Sequence, residues 1–151
     1  MQSTVRILCV DDDANLLSVM ADLLRHKGYE VLAVSSGQAA VDQTCREFDL
    51  MIVDYNLPDF NGDVVAEHWK CEQPEVPILL LSGCPNLPPH ALDHVNGYLR
   101  KGDGTDQLFT AVSDLTHARQ RMSLEAHELW NARKMDADSE RMRPYIYDQA
   151  S

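Results

Sequence analysis

Acidic side chains follow two apolar segments of the sequence, where they could meet in one pocket. Three aspartates, Asp11 to Asp13, follow the first segment, and Asp54 follows a later one. Ser82 and Lys101 each follow a further apolar segment, and their hydroxyl and ammonium groups suit the oxygens of a phosphoryl group. Converging carboxylates repel one another unless a cation intervenes, and Mg²⁺ prefers such oxygen ligands. The pattern predicts Mg²⁺-dependent phosphoryl transfer to an aspartate nucleophile.

The elements that must position these groups alternate along the first hundred residues. Near-continuous apolar runs are typical of parallel strands covered on both faces. Alternation of such strands with helical stripes predicts an α/β fold, a doubly wound parallel sheet with right-handed crossovers. In these sheets ligands bind beyond the carboxyl ends of the strands, where the acids, the serine and the lysine fall. The five predicted strands are Val5–Val10, Tyr29–Val34, Leu50–Val53, Ile78–Leu81 and Tyr98–Leu99.

Capping residues mark the predicted helices between the strands. Asp13 is placed to cap the first helix and Gly28 to end it, whereas Ser36 and Asn61 cap the second and third. Thr105 opens the last helix. The residues predicted to face inward are Leu16, Met20, Leu23 and Leu24 in the first helix, Ala39, Ala40, Val41 and Cys45 in the second, Val64, Val65 and Trp69 in the third, and Leu108, Phe109, Val112 and Leu115 in the last.

Composition excludes several classes of protein. The chain has 151 residues, and 24 acidic against 13 basic residues give a formal charge of −11. This balance disfavours nucleic acid or an anionic membrane as a direct partner. The four cysteines form no Cys-x-x-Cys pair, which disfavours a zinc cluster, and Cys9 is predicted to be a buried thiol. Without a secretion signal or a membrane-length apolar run, we expect a soluble cytoplasmic protein.

Four motifs in order resemble the receiver domains of bacterial two-component response regulators. Ile7–Asp13 is similar to the first strand of that family with its acids, and Met51–Gly62 to its phosphoacceptor strand and loop. Ile78–Gly83 is similar to the strand that ends in Ser or Thr, and Gly97–Lys101 to the fifth strand with its aromatic residue and lysine. The resemblance covers residues 4–118 and implies a flavodoxin-like sheet of five parallel strands in the order 2-1-3-4-5.

The resemblance also implies a role for each residue of the predicted site. Asp54 would accept a phosphoryl group from a sensor histidine kinase or a histidine phosphotransfer protein. The receiver would catalyse only its own phosphorylation and dephosphorylation, so we do not expect an enzyme acting on other substrates. The other implied roles are Mg²⁺ ligation by Asp12, Asp54 and the backbone carbonyl of Asn56, a contribution of Asp11 through water, contacts of Ser82 and Lys101 with the phosphoryl oxygens, and an aromatic switch at Tyr98.

Two features depart from the family pattern. Gly102 follows Lys101 where the family usually has proline, so the backbone there is expected to differ. The segment from Ser82 to Tyr98 is about three residues shorter than is usual in the family, and it contains three prolines. Only a short helix, Pro89 to His94, is predicted in it, because proline breaks helices beyond their first turn. We therefore expect the acceptor chemistry to follow the family more closely than the output route.

Residues 119–151 are predicted to be a helical extension too short for an output domain. The last helix should continue to about Met135, followed from Asp136 by a loose polar segment in which Tyr145–Tyr147 could dock. A seven-residue spacing suggests a homodimer through this helix, although its first two members are also expected in the receiver core. The residues with this spacing are Leu108, Leu115, Met122 and Leu129.

Two further hypotheses remain open from the sequence. A haloacid-dehalogenase-like phosphatase also begins with a strand and an Asp-x-Asp pair, which Asp11 and Asp13 could form. Position 15 is Asn, whereas that class has Thr or Val there. The phosphatase hypothesis also gives Asp54 no role. A binding module that signals without phosphorylation is favoured by the altered Ser82–Tyr98 segment but disfavoured by the complete set of acids, serine and lysine.

Overall fold

The computed structural model describes residues 4–140, and the chain divides after Arg119 into two compact units. The strands are β1 (Arg6–Val10), β2 (Glu30–Val34), β3 (Leu50–Asp54), β4 (Ile78–Ser82) and β5 (Gly97–Arg100). The helices are α1 (Ala14–His26), α2 (Gly37–Val41), α3 (Gly62–Glu72) and α4 (Thr105–Glu140), and a 3-10 helix covers Pro89–Leu92. None of the helices in the described range is both long and apolar enough to cross a membrane.

The five strands form one parallel sheet in the order β2-β1-β3-β4-β5, which confirms the predicted fold class. Every residue of β3 and β4 is buried, as expected for strands covered on both faces. Alternate residues of the central strands point into two apolar clusters, one on each face of the sheet. Trp69 of α3 fills the first cluster, whereas α1 and Val112 of α4 pack in the second.

The inward face of α1 differs by one position from the prediction. Leu17, Met20, Ala21 and Leu24 are buried at helical spacing, whereas Leu16 is 39% exposed and Leu23 is half-buried. Asp13 caps the helix as predicted, because its carboxylate accepts the backbone N–H groups of Asn15 and Leu16. Gly28 follows its end with a φ of +98°, which favours glycine.

Two other predicted inward residues are exposed. Val64 is 47% exposed, because α3 buries Val65, Ala66 and Trp69 instead. Cys45 is exposed because α2 ends at Val41, one turn before it. The prediction that the second helix extends to Cys45 was therefore wrong.

The last two helical predictions are correct in kind but not in extent. The helix between β4 and β5 is a single 3-10 turn that ends at Leu92 instead of His94. Helix α4 continues to Glu140. The prediction of a loose segment from Asp136 was therefore wrong for residues 136–140. Leu108 and Leu115 pack against the second apolar cluster, and Leu129 is 54% exposed. The side chains of Met122 and Trp130, and the predicted docking of Tyr145–Tyr147, lie outside the described residues.

The burial of Cys9 predicts a selective thiol reactivity. Cys9 is fully buried in β1, and burial raises the pKa of its thiol to about 12. Because the thiolate is the reactive form, Cys9 should resist alkylation at pH 8 in the folded protein, whereas exposed Cys45 and Cys71 react. Peptide mapping after alkylation with and without denaturant measures this difference. Modification of Cys9 at the rate of Cys71 under native conditions would contradict the burial of β1.

Candidate functional site

The carboxyl edge of the sheet brings the predicted site residues together. Asp11 and Lys101 directly follow β1 and β5, whereas Asp54 and Ser82 are the last residues of β3 and β4. The sequence prediction ended those two strands one residue earlier. Pairing of Asp54 with Leu81 in the parallel register brings the end of β3 beside that of β4.

Lys101 joins the two buried acids of the site. Its Nζ donates a hydrogen bond to Asp54 Oδ2 at 2.9 Å and lies 3.1 Å from Asp11 Oδ2. Asp11 is fully buried and Asp54 is 2% exposed, so one ammonium group partly balances two carboxylates removed from water. The pocket retains a net negative charge.

Burial and charge act in opposite directions on these groups. Burial raises the pKa of Asp54 above 3.8, and the Asp11 charge adds to this rise, whereas Lys101 and the N–H of Asn56 oppose it. Burial alone would lower the pKa of Lys101, but its contacts with Asp54 and Asp11 outweigh burial and raise that pKa above 10.5. The site thus favours a charged lysine at neutral pH.

The acids also satisfy a geometric condition for binding a cation. One carboxylate oxygen each of Asp11, Asp12 and Asp54 lies within 4.8 Å of the others, and Asp12 is exposed to solvent. Asp11 Oδ2 is buried and accepts no hydrogen bond from the described residues, despite the proximity of Lys101. Asp11 Oδ1, in contrast, accepts the backbone N–H of Asp13 at 2.9 Å. The buried Asp11 Oδ2 contacts the Lys101 ammonium and lies beside two further carboxylates. Such a group of acids suits a hard divalent ion such as Mg²⁺.

The loop between β3 and α3 carries Asn56 at the edge of this pocket. The backbone N–H of Tyr55 donates to Leu81 at 2.9 Å, and that of Gly62 donates to Tyr55 at 2.7 Å, which closes the base of the loop. A side chain on Gly62 would collide with the backbone carbonyl of Asp54, so glycine is required there. The N–H of Asn56 points to Asp54 Oδ1 at 3.4 Å.

Ser82 and Tyr98 lie on the β4–β5 side of the site. Ser82 is fully buried, and its Oγ accepts the backbone N–H of Cys84 at 3.0 Å. Tyr98 is half-buried and packs against the core cluster that contains Trp69. Gly102 has a φ of +97°, which proline cannot adopt, so the backbone after Lys101 departs from the family pattern as expected.

The sequence reasoning missed Asp59 in the β3–α3 loop. Its carboxylate accepts backbone N–H groups from Gly37 at 2.9 Å and from Gln38 at 2.7 Å. These bonds lower the pKa of Asp59. From the sequence, Asp59 is expected to be an ordinary solvated loop residue, because it follows Pro58 and no spacing relates it to α2.

The fold and the site together define an α/β protein with an acidic, lysine-containing pocket at the carboxyl edge of its sheet. The sequence matches the family of the response regulator receiver domain over residues 7–113. The chain belongs to this family of two-component signalling proteins, which confirms the resemblance inferred from its motifs.

Known proteins similar to this chain support the same family. An uncharacterized transcriptional regulatory protein, YrkP of Bacillus subtilis, is 30% identical over 85% of this chain and 53% of its own length. The sensor protein GacS of Pseudomonas syringae pv. syringae is 36% identical over 72% of this chain but only 12% of its own length. The chain thus spans about half of the first relative and a small part of the second.

Solved structures show the same fold. A CheY-like receiver domain protein from Methanospirillum hungatei superposes with a TM-score of 0.76 at 23% identity and covers 80% of this chain and 99% of its own. The response regulator TrrA from Thermotoga maritima, solved in complex with Mg²⁺ and BeF, has a TM-score of 0.71 at 26% identity over 74% of this chain and 99% of its own.

Proposed function

We propose that this receiver is a phosphorylation-controlled switch of a two-component phosphorelay that accepts its phosphoryl group on Asp54. The observation that carries the proposal is the buried Asp54 carboxylate at the end of β3, bonded to Lys101 in a pocket shared with Asp11. The donor is a sensor histidine kinase or a histidine phosphotransfer protein. We assign the receiver to residues 4–118 and a helical extension to residues 119–151.

The transfer makes one bond and breaks one. An Asp54 oxygen attacks the phosphorus, and the P–N bond of the phosphohistidine breaks, with its electron pair remaining on the imidazole nitrogen, which then takes a proton. Lys101, already bonded to Asp54, moves its hydrogen bonds to the phosphoryl oxygens as charge accumulates there. The Ser82 hydroxyl donates to another of these oxygens, and the half-buried Tyr98 turns inward behind it. The chain catalyses no other reaction in this proposal.

The residues of the pocket fit Mg²⁺, the ion that the family implies. Asp12, Asp54 and the backbone carbonyl of Asn56 would hold it, with Asp11 acting through water. When bound, Mg²⁺ neutralises the acids and withdraws charge from the phosphoryl oxygens. The grouping of the three carboxylates, which the single Lys101 ammonium only partly balances, supports this assignment.

Labelling by a small acyl phosphate tests the proposal without a partner protein. The wild-type chain should gain one phosphoryl group in the presence of Mg²⁺ and none when the metal is removed by a chelator. Intact-mass measurement gives both results. Equal labelling with and without the metal would contradict the metal assignment, and no labelling in either condition would contradict acceptance by this chain.

An apolar groove beside the site is the surface on which the donor protein should dock. The groove encloses about 240 Å³ between α1 and the segment 100–105, and includes Leu16 and Val19. Val19 is 56% exposed, and Lys101 lines the same groove. A partner that delivers a phosphoryl group past Lys101 must cover this rim of the pocket.

Substitution of Val19 tests this docking surface. Val19→Glu should slow transfer from a phosphorylated histidine phosphotransfer domain by roughly tenfold, because a charge replaces an apolar contact. Labelling by the small acyl phosphate serves as the internal reference. Val64→Glu on α3, at 47% exposure and outside the groove, is the matched control. Equal slowing by both substitutions would show that the groove does not bind the donor.

The helical extension supports a further part of the proposal, a homodimer through α4. Leu129, a member of the predicted seven-residue series, is 54% exposed on this helix. Mass measurement in solution, with and without a beryllofluoride phosphate mimic, compares the two forms. A phosphate-dependent change would support a switch, whereas a constant dimer would support a module that signals without phosphorylation. The proposal includes a cytoplasmic location and no direct nucleic-acid contact, given the charge of −11.

A further inference from the structure

Asp59 joins the loop that carries Asn56 to the first turn of α2. Its Oδ1 accepts the backbone N–H groups of Gly37 at 2.9 Å and of Phe60 at 3.0 Å, and its Oδ2 accepts that of Gln38 at 2.7 Å. The residues it joins are 22 and 21 positions away in the sequence. The carboxylate is exposed, so this contact costs little desolvation.

The position of α2 makes it a suitable anchor. Trp69 of α3 is fully buried and donates from Nε1 to the carbonyl of Ala40 at 3.0 Å, which ties α2 to the core. Ser36 Oγ accepts the N–H of Ala39 at 3.1 Å, so Ser36 caps α2, and among the described residues its side chain makes no hydrogen bond to the loop. Asp59 therefore hydrogen-bonds the loop to a helix that is already capped by Ser36 and anchored to the core by Trp69.

Gly37 allows the loop to approach α2 closely. A Cβ added at Gly37 would lie 2.6 Å from the Phe60 ring and 3.0 Å from Asp59 Oδ1. The first contact is shorter than side-chain carbons allow and the second is tight, so a larger residue would displace the Phe60 ring and press on the Asp59 carboxylate. The glycine and the carboxylate form one arrangement that fixes this part of the loop.

The loop is attached at several points along its length. Its base is closed by the bonds of Tyr55 and Gly62, Leu57 is buried in the core, Phe60 packs against the core, and Asp59 binds the exposed part to α2. Asn56 lies between the base and the Leu57 anchor and is exposed. Residues that hold a metal ligand in position commonly strengthen metal binding, because the loop that carries the ligand then loses less conformational entropy when the metal binds.

We infer that Asp59 is a positioning residue for Mg²⁺: by binding the first turn of α2, it holds the Asn56 carbonyl at the metal site. The inference rests on the proposed function in one respect, the assignment of Mg²⁺ to Asp12, Asp54 and Asn56. According to this inference, the affinity for Mg²⁺ depends on α2 through Asp59, although α2 contributes no metal ligand.

Calorimetric titration with Mg²⁺ tests the inference on the full chain. Asp59→Ala should weaken Mg²⁺ binding by about tenfold. The matched control is Ser36→Ala, which removes the other cap of α2 and leaves the loop contacts in place, and it should change the affinity by less than about twofold. Both variants remove an acceptor for backbone N–H groups in the first turn of α2. Thermal unfolding measures the stability that each loses for this reason. Asp59→Asn keeps one acceptor oxygen and should restore part of the affinity.

Two further variants separate failure of this inference from failure of the proposed function. Wild-type protein that binds no Mg²⁺, or an Asp12→Asn variant that binds it as well as wild type, would overturn the metal assignment itself. If the wild type binds and Asp12→Asn does not, equal affinities of Asp59→Ala and Ser36→Ala would overturn only the role of Asp59. Gly37→Ala keeps the carboxylate but displaces the loop, and it should weaken binding like Asp59→Ala; it decides the outcome if Asp59→Ala fails to fold.

Discussion

Asp54→Asn is expected to abolish phosphoryl labelling of the chain by a small acyl phosphate with Mg²⁺. The amide is close in shape to the carboxylate but is not a nucleophile for phosphorus at neutral pH. It also removes one of two buried negative charges that share Lys101, so the folded protein should remain at least as stable as the wild type. Intact-mass measurement after a fixed time of labelling, together with thermal unfolding, checks both expectations.

The control for Asp54→Asn is Asp49→Asn. Asp49 is half-buried at the opposite end of β3, where its carboxylate binds Arg119 and the N–H of Arg6. This variant loses structural contacts but leaves the pocket intact, so it should be labelled like the wild type as long as it is folded. Undiminished labelling of Asp54→Asn would contradict the assignment of the acceptor.

Lys101→Met is expected to have the second largest effect, on both chemistry and stability. The substitution keeps the length of the side chain but leaves Asp11 and Asp54 without their shared cation. Removing one partner of a buried ion pair costs about 3–5 kcal/mol, and the exposure of a quarter of the Lys101 side chain reduces this to about 2 kcal/mol near pH 7. Labelling should fall by at least about a hundredfold, because the ammonium group that would bind the phosphoryl oxygens is lost.

The destabilisation by Lys101→Met should depend on pH in a defined direction. Burial raises the pKa of folded Asp54 above 3.8, so the folded state binds more protons than the unfolded state and stability falls as pH rises through that raised pKa. Loss of Lys101 raises this pKa further, since the lysine opposes the rise. The difference in stability between the variant and the wild type should therefore shrink as pH falls toward 4.

Denaturant unfolding from pH 4 to pH 8 measures this dependence. Added Mg²⁺ should recover part of the lost stability at pH 8, because a cation again balances the acids. Lys27→Met is the control, since the Lys27 ammonium lies over the Phe109 ring at 4.8 Å and Lys27 is remote from the acids in sequence. A loss of stability that is the same at every pH would show that Lys101 stabilises the fold by packing and not by its charge.

The phosphatase hypothesis makes an opposite prediction for the same residues. A haloacid-dehalogenase-like enzyme would turn over a phosphomonoester steadily, with dependence on Asp11 and without dependence on Asp54. The geometry favours the receiver, because the buried Asp54 carboxylate bonded to Lys101 has no role in the phosphatase hypothesis. Comparing Asp11→Asn with Asp54→Asn in a turnover assay separates the two classes.

Much of the sheet could be predicted from the sequence, because its strands are apolar almost without interruption. β3 and β4 are buried at every position, and both were located to within one residue. Helix faces were less predictable. Leu16 and Val64 fit an apolar stripe as well as their neighbours do, and only the packing against the sheet shows that Leu17 and Val65 are buried instead.

The members of the candidate site were predictable because strand ends place them. Asp11, Asp54, Ser82 and Lys101 meet at one edge by the topology of a parallel sheet, which the motifs imply without coordinates. The bonds of Asp59 were not predictable, because they join an exposed loop acid to backbone N–H groups 22 and 21 residues away. Backbone donors carry no signal in the sequence, so such contacts emerge only from the structure.

The most direct test of the central claim is to locate the phosphoryl group on the wild-type chain. After labelling with a small acyl phosphate and Mg²⁺, reductive trapping of the aspartyl phosphate and peptide mapping identify the modified residue. We expect modification at Asp54 and at no other residue. Modification at Asp11, or at Asp12 with Asp54 unmodified, would contradict it.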